Sequence, residues 1–395
     1  MQQERNRTVA VVTGSRAEYG LLRPVLQKLL SSSLTLKLAV TGSHLSRDYG
    51  RTVSEIENDG IPIAEKIDIL KFQDSDNPVA ETVAYTLRVF SDWFKKEKPD
   101  VVLLLGDRYE IFAVAQAAAM TGVPIAHISG GDVTLGAADE YYRHCITKMA
   151  ALHFPSCKDS ADRLLRMGEQ PDRVFLVGGL GDENIRNMPK MTAEELSADL
   201  DFNLTAPFAL VTFHPETGAG HADPLLQMEE LLSAMEDAHQ SEGLRYLITK
   251  SNADQGGAQI NEVWDRWVSA RADHALSVTS LGVRRYLSAM SHAALVLGNS
   301  SSGVVETPTF GVPAINIGDR QNGRLICDNV LCVPAKREQI LKAVRTAMTD
   351  GFISKAKKTV SPYYGKDPSG SIVRILEEWA SSPELREPKK FYDGI

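Results

Sequence analysis

The sequence lacks the features that mark several large protein classes. It has no apolar run of 18 residues, so we expect no membrane span. Only four cysteines occur among 395 residues, without metal-site spacing, and the net charge of −8 implies no general affinity for nucleic acid. The opening residues, MQQERNR, are polar and lack the apolar core of a secretion signal. We therefore expect a cytoplasmic protein with reduced thiols.

Common catalytic signatures are missing as well. The sequence contains no P-loop, no GxGxxG fingerprint and no nucleophile elbow. No spacing of histidines, cysteines and carboxylates suggests zinc. These absences disfavour a covalent serine mechanism and a metal hydrolase, and we expect no metal.

Apolar runs alternate with amphipathic segments along the chain. Runs such as Val101 to Leu105 are continuously apolar, as expected for strands buried on both faces of a sheet. Helical patterns that end near Gly or Pro separate these runs, and this rhythm predicts parallel sheets with helices on both sides. The length exceeds one typical domain. We predict the fold class α/β, with two doubly wound domains that face a cleft.

The rhythm pauses in a polar segment at 180–205, which lacks a strong strand. We place the domain boundary there, with a first Rossmann-like domain at 1–185, a second at 186–370, and a closing helix and tail at 371–395. Ligands of open α/β sheets bind at the carboxyl ends of the strands. Loops of two facing domains would therefore line one cleft.

Two charged groups follow apolar runs in the first half. In TGSRAEYG, Arg16 stands where a strand gives way to a helix N-terminus, a position that favours anions, and its guanidinium could bind phosphate with two donors. A solvent-facing arginine in a turn is the alternative. Asp107 and Arg108 follow the run that ends at Leu105, which places them at the predicted crevice, although an aspartate there could also cap a helix.

The stretch GGDVTLGAADEYYRHCITK is dense in titratable groups. It contains Asp132, Asp139 and Arg143, and the last two are four residues apart, on one face of a helix. Two adjacent glycines favour close approach of a ligand to the backbone. A surface ion pair on a capped helix is the simpler alternative.

The second half repeats this arrangement. The small polar loop Gly298 to Gly303 offers backbone N–H groups and hydroxyls to a diphosphate, and Glu306 lies one turn into the next helix, where it could bind ribose. Simple helix capping explains such a loop less completely, because four polar residues exceed what a cap requires. His214, Asn252 and Ser280 also follow apolar runs.

Taken in order, these motifs resemble the hydrolysing UDP-N-acetylglucosamine 2-epimerases. The resemblance rests on TGSRAEYG, LLLGDR, GGDVTLGAADEYYRHCITK, FHPET and GNSSSGVVETPTFGVPAINIGDRQNGR, and SPYYGKDPSGSIVRIL is similar to the family's closing segment. It implies the glycosyltransferase-B architecture, with the nucleotide between two domains, a small-molecule UDP-sugar as the partner, and self-association into a homo-oligomer.

The resemblance also implies roles by position. The residues that would hold UDP are Arg16, Arg108, Asn252, Ser280, Ser300, Ser301, Glu306 and Arg320. His214 would lie next to the diphosphate leaving group. The acidic positions at the sugar would be Asp107, Asp132 and Asp139. We further assign His44 and Arg143 to the sugar.

The implied reaction removes the hydrogen on carbon 2 of the sugar as UDP departs. This anti elimination gives a 2-acetamidoglucal, and water then adds to carbon 1 while carbon 2 is reprotonated from the opposite face. The products are UDP and N-acetylmannosamine. Two carboxylates in different environments can serve as base and acid, and the route needs no redox cofactor or metal.

Two departures from the family pattern leave alternatives open. Many relatives carry a glutamate where this chain has Ser129, so the acid and base work would fall on the three aspartates, without an assignment among them. The longer DVTLGAAD is more like the branch that acts on UDP-2,4-diacetamido-2,4,6-trideoxy sugars for legionaminic acid. A glycosyltransferase, a non-hydrolysing epimerase and a non-catalytic nucleotide-sugar sensor are the other candidates.

Overall fold

The computed structural model describes residues 7–46, 51–72, 74–133, 139–214, 223–250, 257–382 and 387–394. The chain divides into two compact units. Unit 1 comprises Met1–Asn184 and Tyr363–Ile395, and unit 2 comprises Ile185–Pro362. Each unit contains a six-stranded parallel sheet with helices between the strands, so the α/β class is confirmed.

Unit 1 begins with a regular alternation of strands and helices. Its elements are β1 (Thr8–Thr13), α1 (Arg16–Leu30), β2 (Thr35–Thr41), α2 (Val53–Asn58), β3 (Ile63–Ile67), α3 (Pro78–Glu97), β4 (Val101–Leu105), α4 (Tyr109–Thr121), β5 (Ile125–Ile128), α5 (Asp139–Met149), β6 (Leu152–Phe154) and α6 (Lys158–Arg166). Helix α7 (Leu180–Asn187) contains the boundary between the two units. The strand order is β3-β2-β1-β4-β5-β6. Strands β1 and β4 are fully buried, as their unbroken apolar sequences predict.

Unit 2 repeats the pattern. Its elements are α8 (Ala193–Leu200), β7 (Phe208–Thr212), α9 (Pro224–Glu242), β8 (Arg245–Thr249), α10 (Gly257–Ser269), β9 (Ala275–Val278), α11 (Gly282–His292), β10 (Leu295–Gly298), α12 (Ser302–Val305), α13 (Thr307–Phe310), β11 (Ala314–Ile317), β12 (Val330–Val333), α14 (Arg337–Ala347) and α15 (Asp350–Lys358). The strand order is β12-β11-β10-β7-β8-β9. No helix in the described part of the chain is long and apolar enough to cross a membrane.

The last helix, α16 (Pro368–Ser381), belongs to unit 1. It packs Ile372, Leu376 and Trp379 into the core that α1 also lines. The buried carboxylate of Glu183 accepts hydrogen bonds from the Ser369 amide at 2.9 Å and hydroxyl at 2.6 Å, which fixes the start of the helix. The chain therefore returns to unit 1 at Tyr363, before the boundary placed at residue 370 from sequence.

The segment 387–394 contacts residues 168–170 of unit 1. The Lys390 amide donates to the Gln170 side chain at 2.6 Å, and the Tyr392 amide donates to the Gly168 carbonyl at 3.0 Å. The ammonium group of the neighbouring Lys389 donates to the carboxylate of Glu169 at 2.7 Å. The segment 387–394 is thus held by both backbone and side-chain bonds.

A substitution at the end of α3 tests the local backbone. Lys98 is exposed and adopts left-handed dihedral angles (φ 48°, ψ 54°), which strain any residue with a Cβ. We expect Lys98→Gly to raise the free energy of unfolding by about 0.5–1 kcal/mol in urea titrations. Gly122→Ala is the matched control: Gly122 has φ 74° and open space around it, so the variant should lose a similar amount. Equal stability of Lys98→Gly and Lys98→Ala would contradict the argument.

Candidate active site

The strand order reverses once in each sheet, and the candidate residues follow the strands at those points. The reversal lies between β1 and β4 in unit 1 and between β7 and β10 in unit 2. Helices leave these neighbouring strands toward opposite faces of the sheet, so a ligand crevice opens at their carboxyl ends. Residues after these strands are Arg16, Asp107, Arg108, His214, Ser300 and Ser301. The topology therefore places these six candidates at the two expected binding edges.

Arg143 connects the acidic loops of unit 1. Its side chain is only 5% exposed, and Nη2 donates to the Asp107 carboxylate. Nη1 donates to the Glu140 carboxylate at 2.9 Å and to the Asp132 carbonyl at 2.8 Å. One buried guanidinium thus joins the loop after β4, the loop after β5 and helix α5. The sequence pattern had paired Arg143 with Asp139; Asp139 is the half-buried first residue of α5.

Asp107 and Asp132 occupy different environments. The Asp132 carboxylate accepts hydrogen bonds from the Ser156 hydroxyl at 3.0 Å and the Ser160 hydroxyl at 2.6 Å. Burial raises the pKa of Asp132 above its usual value, although these hydroxyls and Arg143 oppose the shift. Asp107 instead contacts Arg143 and keeps 24% of its side chain exposed. Such a pair can divide acid and base roles.

The remaining unit 1 candidates have their own partners. Both ring nitrogens of His44 are engaged, with the Thr13 hydroxyl at 3.0 Å and the Thr52 hydroxyl at 2.8 Å, and burial lowers its pKa to about 4. This ring is a neutral part of the core, so its assignment to the sugar has no support from its contacts. Arg16 is 70% exposed, and its Nε lies 2.9 Å from a Glu55 carboxylate oxygen.

Asn299 fixes the two strand ends at the reversal in unit 2. It is fully buried, and its side chain accepts from the His214 amide at 2.7 Å and donates to the His214 carbonyl at 2.8 Å. Its own amide donates to the Thr212 carbonyl at 3.1 Å. The preceding Gly298 (φ 136°) is required here, because a Cβ would lie 2.0 Å from the same carbonyl oxygen. Asn299 therefore positions His214 next to the loop from Gly298 to Gly303, the serine loop.

The serine loop lies beside a small pocket. Ser300 lines it together with Gly298, Gly303 and Asn316. Ser301 precedes α12, and the Ser302 hydroxyl donates to the Glu306 carboxylate. Burial raises the pKa of Glu306, and the Ser302 hydroxyl opposes the shift.

The other unit 2 candidates are Ser280, Arg320 and Asn252. Ser280 is exposed, and its hydroxyl accepts from the Gly282 amide at 3.2 Å. Arg320 is exposed, and its Nη1 donates to the Asn299 carbonyl at 3.3 Å. Asn252 lies outside the described residues.

One group in the described residues has donors close enough to suggest a metal. It comprises His239, Asp273 and His274, whose ligand atoms lie within 4.8 Å of one another. The two imidazole rings stack with centroids 3.6 Å apart and planes 7° apart. Lone pairs of parallel stacked rings point side by side and do not converge on one ion. The His239 and His274 Nδ1 atoms are also engaged, by the Leu244 carbonyl and the Asp273 carboxylate. The group therefore suits ring stacking better than metal binding.

The sequence analysis did not identify three of the site residues, Glu18, Glu110 and Asn299. Glu18 and Glu110 are buried beside the end of β1, whereas charged residues in a sequence are usually predicted to be exposed to solvent. Their only signal was proximity to Arg16 and Arg108 in SRAEYG and GDRYE. Asn299 was noted within its loop, but its two bonds to His214 join positions 85 residues apart.

Comparison with known proteins gives a consistent result. The family model described as UDP-N-acetylglucosamine 2-epimerase matches residues 27–377. The chain is 35% identical to polysialic acid biosynthesis protein P7 of Escherichia coli, over 98% of this chain and 97% of that protein. It is 37% identical to the GDP/UDP-N,N'-diacetylbacillosamine 2-epimerase (hydrolyzing) of Campylobacter jejuni, over 82% and 84% respectively.

A solved structure supports the fold. The Neisseria meningitidis UDP-GlcNAc 2-epimerase bound to UDP-GlcNAc has a TM-score of 0.76 at 19% identity, over 94% of this chain and 100% of that chain. The predicted class, two doubly wound Rossmann-like units of the glycosyltransferase-B type, is confirmed.

Proposed function

Because the chain belongs to the UDP-N-acetylglucosamine 2-epimerase family, we propose that it converts UDP-N-acetylglucosamine to UDP and N-acetylmannosamine. The observation that carries the proposal is the Arg143 cluster. It joins the carboxylate of Asp107 to the loop that bears Asp132, at the strand reversal of unit 1. Elimination at carbon 2 needs one group to remove a proton and another to return it to the opposite face.

Unit 1 supplies the proton transfers in this proposal. We assign the acid role to Asp132, because its burial favours the protonated carboxyl that can donate. We assign the base role to Asp107, whose exposed fraction leaves it accessible to carbon 2 of a bound sugar. Asp139, at the start of the same helix as Arg143, would contact the sugar.

Unit 2 holds the nucleotide in this proposal. Amides and hydroxyls of Ser300 and Ser301 would bind the diphosphate, and Glu306 would bind the ribose hydroxyls. His214, held by Asn299, would donate to the departing phosphate oxygen. Negative charge grows on the diphosphate as the bond to carbon 1 breaks, and preorganised donors stabilise that charge. Arg320, Asn252 and Ser280 complete the proposed UDP contacts of unit 2. Arg16 and Arg108 of unit 1 are proposed UDP contacts as well.

The name of one relative specifies a second substrate. The Campylobacter jejuni relative, whose name specifies N,N'-diacetylbacillosamine, is 37% identical to this chain. The same chemistry on a UDP-2,4-diacetamido-2,4,6-trideoxy sugar is therefore the alternative. The two sugars differ at carbons 4 and 6, away from the reacting carbons 1 and 2.

Parallel incubations in deuterium oxide, followed by NMR, test the proposal. We expect UDP-N-acetylglucosamine to yield UDP and free N-acetylmannosamine with deuterium at carbon 2. Turnover of the diacetamido sugar alone would transfer the assignment to that substrate. Exchange with the sugar still attached to UDP would indicate a non-hydrolysing epimerase. Sugar transfer without exchange, or binding without turnover of either sugar, would reject the proposal.

A further inference from the structure

Two buried glutamates lie behind Arg108 at the strand reversal of unit 1. The Glu110 side chain is 2% exposed, and one of its oxygens accepts from Arg108 Nε. The Glu18 carboxylate accepts from the Gly14 amide at 2.6 Å, and its other oxygen lies 3.8 Å from Arg108 Nε. A Cβ built on Gly14 would meet both side chains within 3.5 Å, so the two glutamates approach the same point of the backbone.

The hydrogen bonds of this cluster are incomplete. One oxygen of each glutamate, Oε1 of Glu18 and Oε2 of Glu110, is buried without a hydrogen-bond partner among the described residues. Two ionised carboxylates beside one guanidinium would also leave a net negative charge away from water. A buried, unpaired charge is strongly unfavourable, and a bound proton removes it.

We propose that Glu18 holds a proton beside Glu110 and that both glutamates are positioning residues for Arg108. Glu110 directs the Nε edge of the guanidinium inward, which leaves the terminal nitrogens, unbonded within the described residues, for a diphosphate. The protonation state of Glu18 determines the net charge of the group formed by Glu18, Glu110 and Arg108. The inference rests on the proposed function, in which Arg108 binds the diphosphate of UDP.

The environment of Glu18 places this proton near neutral pH. Burial raises the pKa of Glu18 to about 7; the Gly14 and Ser15 amides and Arg108 oppose the shift, and the charge of Glu110 adds to it. Below that pH the three groups are neutral overall, and above it they carry one negative charge. Affinity for an anion at Arg108 should therefore fall as the pH rises through 7.

Calorimetric measurement of UDP affinity at about pH 6 and pH 8.5, with the whole 395-residue chain, tests whether this affinity depends on the protonation of Glu18. UDP itself titrates, so the quantity compared is the ratio of wild-type to Glu18→Gln dissociation constants. We expect that ratio to be near 1 at the lower pH and about five- to tenfold at the higher pH, because glutamine stays neutral. Glu57→Gln, which alters an exposed carboxylate paired with Lys66, should match wild type at both pH values. A ratio that does not change with pH would overturn the proposal.

A second measurement needs no ligand. The infrared difference spectrum of wild type minus Glu18→Gln should contain a protonated carboxyl band that disappears as the pH rises through 7, because the bands of the other buried carboxyls, Asp132 and Glu306, cancel in the difference. A helix-capping role alone keeps Glu18 ionised and predicts no such band. Absence of UDP binding with the band present would reject the proposed function and retain the proton on Glu18. Binding of UDP without the band would reject the proton on Glu18 alone.

Discussion

Asp107→Asn should lower kcat by about 10²–10⁴-fold on whichever UDP-sugar the protein turns over, the range that positioned acid–base catalysis contributes. Asparagine keeps the shape of the side chain but cannot take a proton from carbon 2. Arg143 retains its bonds to Glu140 and to the Asp132 carbonyl, so helix α5 should keep its place. The rate of UDP release under substrate saturation measures the effect.

The matched control for this variant is Asp162→Asn, on the exposed face of α6. It removes a surface ion pair with Lys158 and should leave kcat within twofold of wild type. UDP affinity of Asp107→Asn should also stay close to wild type, because Asp107 itself is not among the proposed nucleotide contacts. If Asp107→Asn turned over at the wild-type rate, Asp107 could not be the base, and the assignment would pass to Asp139.

Glu169→Gln should lower the free energy of unfolding by about 3 kcal/mol, the largest effect on stability that we expect. Glu169 is 1% exposed, and its carboxylate lies 2.9 Å from His153 Nε2, 2.6 Å from Lys148 Nζ and 2.7 Å from Lys389 Nζ. A neutral amide leaves the ammonium groups of Lys148 and Lys389 without their anion at a position where the Glu169 side chain itself is buried. Urea titration at neutral pH measures the loss, and Lys390→Met, whose neighbour contacts are made by its backbone, is the control.

The same site gives a pH dependence with a defined sign. Burial disfavours the charge of Glu169, but hydrogen bonds from His153, Lys148 and Lys389 outweigh it and lower its pKa to about 2. The folded state therefore binds this proton less readily than the unfolded state, whose glutamate titrates near 4.5. The stabilisation is complete above pH 4.5 and declines as the pH falls toward 2. The difference in the free energy of unfolding between wild type and Glu169→Gln should therefore become smaller as the pH falls from 4.5 toward 2. A difference that does not change with pH would contradict the argument.

The sequence was informative where burial follows from composition. Unbroken apolar runs such as Val101 to Leu105 predicted strands, and the residues after them, Asp107 and Arg108, therefore fell at a strand end. The ordered motifs predicted the family, which the family match confirms. The roles of the individual residues remain predictions.

The sequence was uninformative where a contact joins distant segments. The Arg143 to Asp107 pair spans 36 residues, and the Asn299 to His214 pair spans 85. Local spacing favoured Asp139 as the partner of Arg143, because helical periodicity is all that a short window contains. The burial of Glu18 depends on the packing of α1 and α4 around β1, which no local pattern encodes.

The route of the chain also bears on how the protein is made. Residues of unit 2 are contiguous, so that unit can fold as soon as it leaves the ribosome. Unit 1 must wait: α16 supplies Ile372, Leu376 and Trp379 to its core, and these are translated after all of unit 2. Until then, the part of α1 that contacts α16 is uncovered in the nascent chain. Slow translation or premature termination after residue 362 would thus leave an aggregation-prone first half beside a finished second half.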